Sequence, residues 1–151
     1  MTLQDVHIET ESSWNNSGSA PIEIKGNGNT KLELNGNNTV FSGNEDHAGI
    51  EKADLNGTGT LTIKDDKGKD GSLTAEGGEG GAGIGGGIES TGSNITIRGG
   101  AVEAVGGSNA AGIGDGAGRA SDDTDDPNPG DLYICGDAEV TAKAGSQRTD
   151  A

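Results

Sequence analysis

The sequence predicts an all-β fold, a right-handed parallel β-helix (a solenoid) of about five coils. Three observations predict it. Short β-type runs, each with two inward apolar residues, recur in three sets; the sets keep a constant spacing; and glycine supplies 30 of 151 residues, where ~7% is usual. With 28% hydrophobic residues and a net charge of −15, the composition alone would predict disorder. The period overrides that, because stacked coils need only one or two aliphatics per wall. Right-handed winding is the default for parallel crossovers.

The elements follow in order. Residues 3–8 read as one strand with Val6 and Ile8 on one face, opening the first coil. A polar insertion near 11–19 carries Trp14, and Ile22 and Ile24 resume the alternation. A first set of runs is Lys31-Leu32-Glu33-Leu34, Thr60-Leu61-Thr62-Ile63, Asn94-Ile95-Thr96-Ile97 and Asp131-Leu132-Tyr133-Ile134. The second set is Thr39-Val40-Phe41-Ser42, Ser72-Leu73-Thr74-Ala75, Ala101-Val102-Glu103-Ala104 and Glu139-Val140-Thr141-Ala142. A third set is the Ala-Gly-Ile motif at Ile50, Ile84 and Ile113, with a worn copy at Ile22.

Leu61 follows Leu32, and Ile113 follows Ile84, by 29 positions. Departures from this period fall where the chain has loop chemistry, near 65–70 and 118–130. Stacking puts equivalent residues above one another at ~4.8 Å. Three internal ladders are expected: Ile22, Ile50, Ile84 and Ile113; Leu32, Leu61, Ile95 and Leu132; and Val40, Leu73, Val102 and Val140. The glycine-rich run 81–87 becomes a corner between strands rather than a binding loop. Residues 1–151 form a single β-helix domain on this reading, excised from a longer protein, since another Ala-Gly-Ile motif falls due after residue 145 and does not come. Uncapped terminal coils allow end-to-end association.

Acidity of this size disfavours nucleic acid and anionic membrane surfaces, which attract Lys and Arg patches. No apolar run approaches the 18 or more residues of a membrane span. The single cysteine, Cys135, rules out an intrachain disulfide and a Cys-based zinc site. The first residues carry no secretory signal pattern.

The units 93–107 and 111–116, with Ile95-Thr96-Ile97-Arg98-Gly99-Gly100 and Ala111-Gly112-Ile113-Gly114-Asp115-Gly116, resemble the glycine-rich β-helix repeats of secreted or wall-anchored bacterial surface proteins. Those repeats are labelled carbohydrate-binding, and some relatives have pectate-lyase-like architecture. The resemblance runs from about Ile22 to Gly116. It implies a right-handed parallel β-helix and an extracellular setting, secreted or anchored to a cell wall. It carries over no defined set of binding residues.

The chemistry-bearing features are few. Asp122, Asp123, Asp125, Asp126 and Asp131 lie within ten positions of one inserted loop, the oxygen-rich chemistry that calcium takes. Their spacing is not that of an EF-hand, and a solvated acidic loop is the alternative. A smaller acidic group is Asp65, Asp66 and Asp70. His7 and His47 have no partner at metal spacing, and nothing marks a nucleophile with its base. A sugar's C–H face packs on an aromatic plane, and only Trp14, Phe41 and Tyr133 offer one. Tyr133 is expected in the outward column of Glu33, Thr62 and Thr96, and Phe41 in that of Thr74, Glu103 and Thr141. The expected function is a non-catalytic adhesin-like or glycan-binding module, with polysaccharide or a host surface protein as partner and calcium as candidate cofactor. The alternatives are a structural stalk or host-protein-binding module and, further off, a pectate-lyase-like enzyme.

Overall fold

The structure is a computed structural model and describes residues 1–12, 18–52, 58–118 and 131–147. Trp14, Asp122, Asp123, Asp125 and Asp126 lie outside the described residues. The described residues form fourteen short strands and no helix, so none is long and apolar enough to cross a membrane. In chain order the strands are β1 (Thr2–Gln4), β2 (His7–Thr10), β3 (Ile22–Glu23), β4 (Thr30–Asn35), β5 (Asn37–Ser42), β6 (Ile50–Glu51) and β7 (Leu61–Lys64). They continue with β8 (Ser72–Glu76), β9 (Ile84–Gly85), β10 (Ile95–Ile97), β11 (Ala101–Val105), β12 (Ile113–Gly114), β13 (Leu132–Ile134) and β14 (Glu139–Lys143).

Every third strand pairs in parallel with its equivalent, which makes the chain a β-solenoid. The first sheet runs β1-β4-β7-β10-β13, the second β2-β5-β8-β11-β14 and the third β3-β6-β9-β12. Parallel strands need a crossover between them, and here the crossover is the rest of the coil. Inward side chains from all three sheets meet in one core of Leu, Ile, Val and Ala, with Leu34, Ile50, Ile63 and Ile84 fully buried. Each such side chain contributes about 1.5–3 kcal/mol.

The third-sheet ladder is in the expected register, Ile22 to Ile50 to Ile84 to Ile113. The other two walls match from the third coil onward, with Ile95 opposite Leu61 and Leu132, and Val102 opposite Leu73 and Val140. The second coil departs. Leu32 stands opposite Ile63 rather than Leu61, and Val40 opposite Ala75 rather than Leu73. Each offset is two residues, which keeps the same side chains inward.

The cause lies at the corner after β4. Leu34 reaches beyond the rung of Ile63 and fills the space beneath residues 71 and 100, where its Cβ lies 2.7 Å from the place a Gly71 Cβ would take. Asn38, only 2% exposed, then takes the level of Leu73. Its amide donates to the carbonyls of Asn35 (3.1 Å), Gly36 (3.3 Å) and Ser72 (3.0 Å), and its Oδ1 accepts from Val6 N (3.2 Å). A buried amide so satisfied replaces an aliphatic rung without stranding a polar group.

Residues 3–8 are likewise not one strand. Asp5 has φ 49° and turns the chain between β1 and β2, although Val6 and Ile8 both pack against the core as expected. The run 81–87 is a corner with backbone lying on backbone. A Cβ on Gly83 would stand 2.6 Å from Val105 N and 2.7 Å from the Gly112 carbonyl oxygen, so only glycine fits.

Candidate functional site

The most elaborate polar arrangement sits where the first sheet turns into the second. After β7 the chain leaves the coil at residues 65–71 and returns at Ser72 opposite Asn37. Two buried carboxylates hold this loop. Asp65 accepts from Lys69 N (3.0 Å) and Gly71 N (2.8 Å), closing the loop on itself. Glu33, from the preceding coil and 4% exposed, accepts from Asp66 N (2.8 Å) and Lys67 N (2.9 Å) through Oε1. Its Oε2 forms an ion pair with Lys64 at 2.8 Å, outside directed hydrogen-bond geometry.

Lys64 also pairs with Asp66 at 2.5 Å, and Asp66 in turn faces Arg98 at 3.5 Å. The Lys64 ammonium, followed by the Asp66 and Lys67 amides, holds the Glu33 carboxyl below its ordinary range, against the opposing effect of burial. Lys64, then Arg98, lowers Asp66 in the same way. Asp66 and Glu33 together raise Lys64 above the ordinary lysine value.

Beside the loop lies a groove of about 240 Å³, lined by Asp65, Lys69, Asp70, Ser72, Asp137 and Glu139 with the backbone of residues 71, 100 and 101. Ser72, Ala101 and Glu139 also line a second, more open hollow at the second sheet, with Leu73, Thr74, Val102, Glu103 and Thr141. The two share Ser72, Ala101 and Glu139 and so adjoin where the corner meets the sheet. Carboxylates and hydroxyls of this kind accept and exchange hydrogen bonds with polyols or attract cations. Ser72 Oγ donates to Asn37 Oδ1 at 2.9 Å.

Neither Tyr133 nor Phe41 lines either hollow. Tyr133 is 61% exposed on β13 of the first sheet, and Phe41 is half-buried on β5 of the second. Their outward columns differ from expectation through the same two-residue offset. Tyr133 aligns with Thr96, Thr62 and Lys31, while Glu33 aligns with Lys64. Phe41 aligns with Glu9 and Glu76, and Thr39 takes the place beside Thr74. Asp131 is exposed, and its carbonyl accepts from Ile95 N (2.9 Å).

His47 Nδ1 lies 2.9 Å from Glu51 Oε2, which also accepts from Ala48 N (3.1 Å), so the pair braces a corner. Cys135 is an exposed free thiol. Among the described residues, no three or more His, Cys, Asp or Glu are grouped to hold a metal ion. Sequence reasoning missed the Glu33–Lys64 pair and the groove. The available signal was the buried-strand frame of residues 30–35, which brings Glu33 level with Lys64 only when Leu32 is set against Ile63. Comparison of the chain with protein-family models, with curated proteins and with solved structures finds no match in any of the three.

Proposed function

We propose that the chain is a non-catalytic glycan-binding module of an extracellular bacterial surface protein, wound as a right-handed β-helix of about five coils. The observation that carries this reading is that the corner groove adjoins the hollow on the second sheet, the two sharing Ser72, Ala101 and Glu139. An extended polymer with polar and C–H faces fits two adjoining hollows of this kind, since both carry carboxylates and hydroxyls and the second also carries Leu73 and Val102. The likeness of the glycine-rich units to surface-protein repeats supports the same setting. Net charge of −15 favours neutral or amino-bearing sugars, whereas uronic-acid polymers would need a bridging cation.

The test is a glycan array probed with and without calcium. Selective binding to neutral or amino glycans, reduced by Glu139→Ala, supports the reading. Binding of uronic-acid polymers only with calcium supports its cation-dependent form. Silence in both conditions from folded protein ends it. That silence would favour a second reading, a structural stalk or host-protein-binding module, which draws support from the separation of Phe41 and Tyr133 on different sheets.

A further inference from the structure

Three Asn-Gly pairs occur in the sequence, Asn27-Gly28, Asn35-Gly36 and Asn56-Gly57, and the last lies outside the described residues. The fold treats the other two in opposite ways. Asn27 and Gly28 are both exposed, in the bend between β3 and β4. Among the described residues, neither the Asn27 side chain nor the Gly28 N–H makes a hydrogen bond. A Cβ added to Gly28 would meet nothing within 4 Å.

Asn35 ends β4, level with Gln4 of β1. Its carbonyl accepts from Asp5 N (3.3 Å) and from the Asn38 amide (3.1 Å). The Gly36 carbonyl accepts from Ser72 N (2.8 Å) and from the same amide (3.3 Å), and Asn37 N donates to Asp5 Oδ1 (3.0 Å). The peptide units around Gly36 are therefore tied to the coils before and after.

We propose that Asn27 is a site of spontaneous deamidation in the folded protein, and that the fold protects Asn35 from the same reaction. The Gly28 N–H gives its proton to a base in the solvent, and its nitrogen bonds to Asn27 Cγ. The Cγ–Nδ2 bond breaks, and Nδ2 departs as ammonia to leave a cyclic succinimide. Water then adds to either ring carbonyl. Opening at Cγ gives aspartate, and opening at the main-chain carbon gives isoaspartate, whose main chain runs through Cβ and Cγ. One water is taken up and one ammonia released, with no change of oxidation state.

Ring closure requires rotation about the asparagine Cα–C bond and a following nitrogen that no Cβ shields, which glycine supplies. The bend at Asn27 leaves that rotation free. At Asn35 the same rotation would break the bonds to Asp5, Asn38 and Ser72, so the reaction waits on local opening of the coil. Asn29, in the same bend as Asn27, is held differently. Its Oδ1 accepts from Thr60 N (3.0 Å) and Thr60 Oγ1 (3.1 Å), and the residue after it is the β-branched Thr30. Isoaspartate at position 27 would lengthen the corner by one methylene beside this contact between coils.

The test ages the folded chain in mildly alkaline buffer made with heavy-oxygen water and digests it in ordinary water, so that only residues converted during ageing carry the label. Cleavage after Lys25, Lys31 and Lys52 puts Asn27 and Asn29 in the peptide 26–31 and Asn35 in the peptide 32–52. Mass spectrometry reads the label, and isoaspartyl methyltransferase reports the isoaspartate. Asn27 should convert at least about tenfold faster than Asn35 in the folded chain and within about threefold of it in unfolding urea. Gly28→Ala should slow conversion at Asn27 about tenfold, because its Cβ shields the nitrogen, with the melting temperature unmoved. An unconverted Asn27, equal rates at Asn27 and Asn35 in the folded chain, a gap that persists in urea, or a Gly28→Ala chain that converts as fast would each overturn the proposal.

Discussion

Glu33 and Lys64 stand level with each other on neighbouring parallel strands, and the 2.8 Å between their charged atoms joins one coil to the next. The glutamate does more than pair, because its other oxygen takes the Asp66 and Lys67 amides of the loop that follows Lys64. One side chain therefore fixes both the stacking of two coils and the exit path of residues 65–71.

Stability should depend on pH through this cluster. Glu33 and Asp66 have carboxyls held below their ordinary range, so their contribution is complete above about pH 4 and is lost as the pH falls through the lowered values. Lys64 is raised, so its contribution is complete up to about pH 10 and is lost as the pH rises through the raised value. Glu33→Gln should cost about 1–3 kcal/mol at pH 7. Urea midpoints should show that cost shrinking as the pH falls below about 4; a cost that stays constant down to pH 2 would remove the cluster from the account.

Asn38 replaces a ladder residue, and its substitution distinguishes volume from hydrogen bonding. Asn38→Leu restores an aliphatic of the kind found at Leu73, yet strands Val6 N and removes the amide's bonds to the Asn35 and Ser72 carbonyls. We expect a loss of about 1–3 kcal/mol, measured by chemical denaturation. A stabilised variant would show that the corner needs no amide.

Two glycines make a matched pair. Gly83→Ala forces a methyl group against Val105 N and the Gly112 carbonyl and should cost about 3 kcal/mol. Gly28→Ala meets nothing within 4 Å and should leave the melting temperature within a degree or two, or raise it slightly. Equal effects would refute the backbone-contact account of the third-sheet corner.

Calcium is tested by melting. The aspartates at 122, 123, 125, 126 and 131 motivate the experiment. Calcium at about a hundred times its dissociation constant should add about 2.7 kcal/mol, and a chelator should reverse it. An unmoved melting temperature in millimolar calcium excludes a folded-state site.

The sequence showed the solenoid because the third set precedes the first, and the second precedes the third, by 10 or 11 positions wherever no insertion intervenes, and the third-sheet ladder is in the register that spacing predicts. Register in the second coil was harder to see. Thr30, Leu32 and Leu34 alternate, so two frames two residues apart bury equally good faces. The choice between them rests on contacts far along the chain: Leu34 beneath Gly71 and Gly100, and Glu33 against Lys64. Alternation cannot report those contacts, and the same slip displaced the expected partners of Tyr133 and Phe41. The groove was hidden for a related reason, because Asp65, Asp137 and Glu139 converge only after three coils are stacked.

The loop at 65–71 has one more use. Its two ends are held by buried carboxylates, Asp65 from its own coil and Glu33 from the coil before, while Lys67 is exposed. A foreign peptide spliced at Lys67 would thus be displayed from a rigid base, and further coils carrying the same insertion would present it as a regularly spaced array.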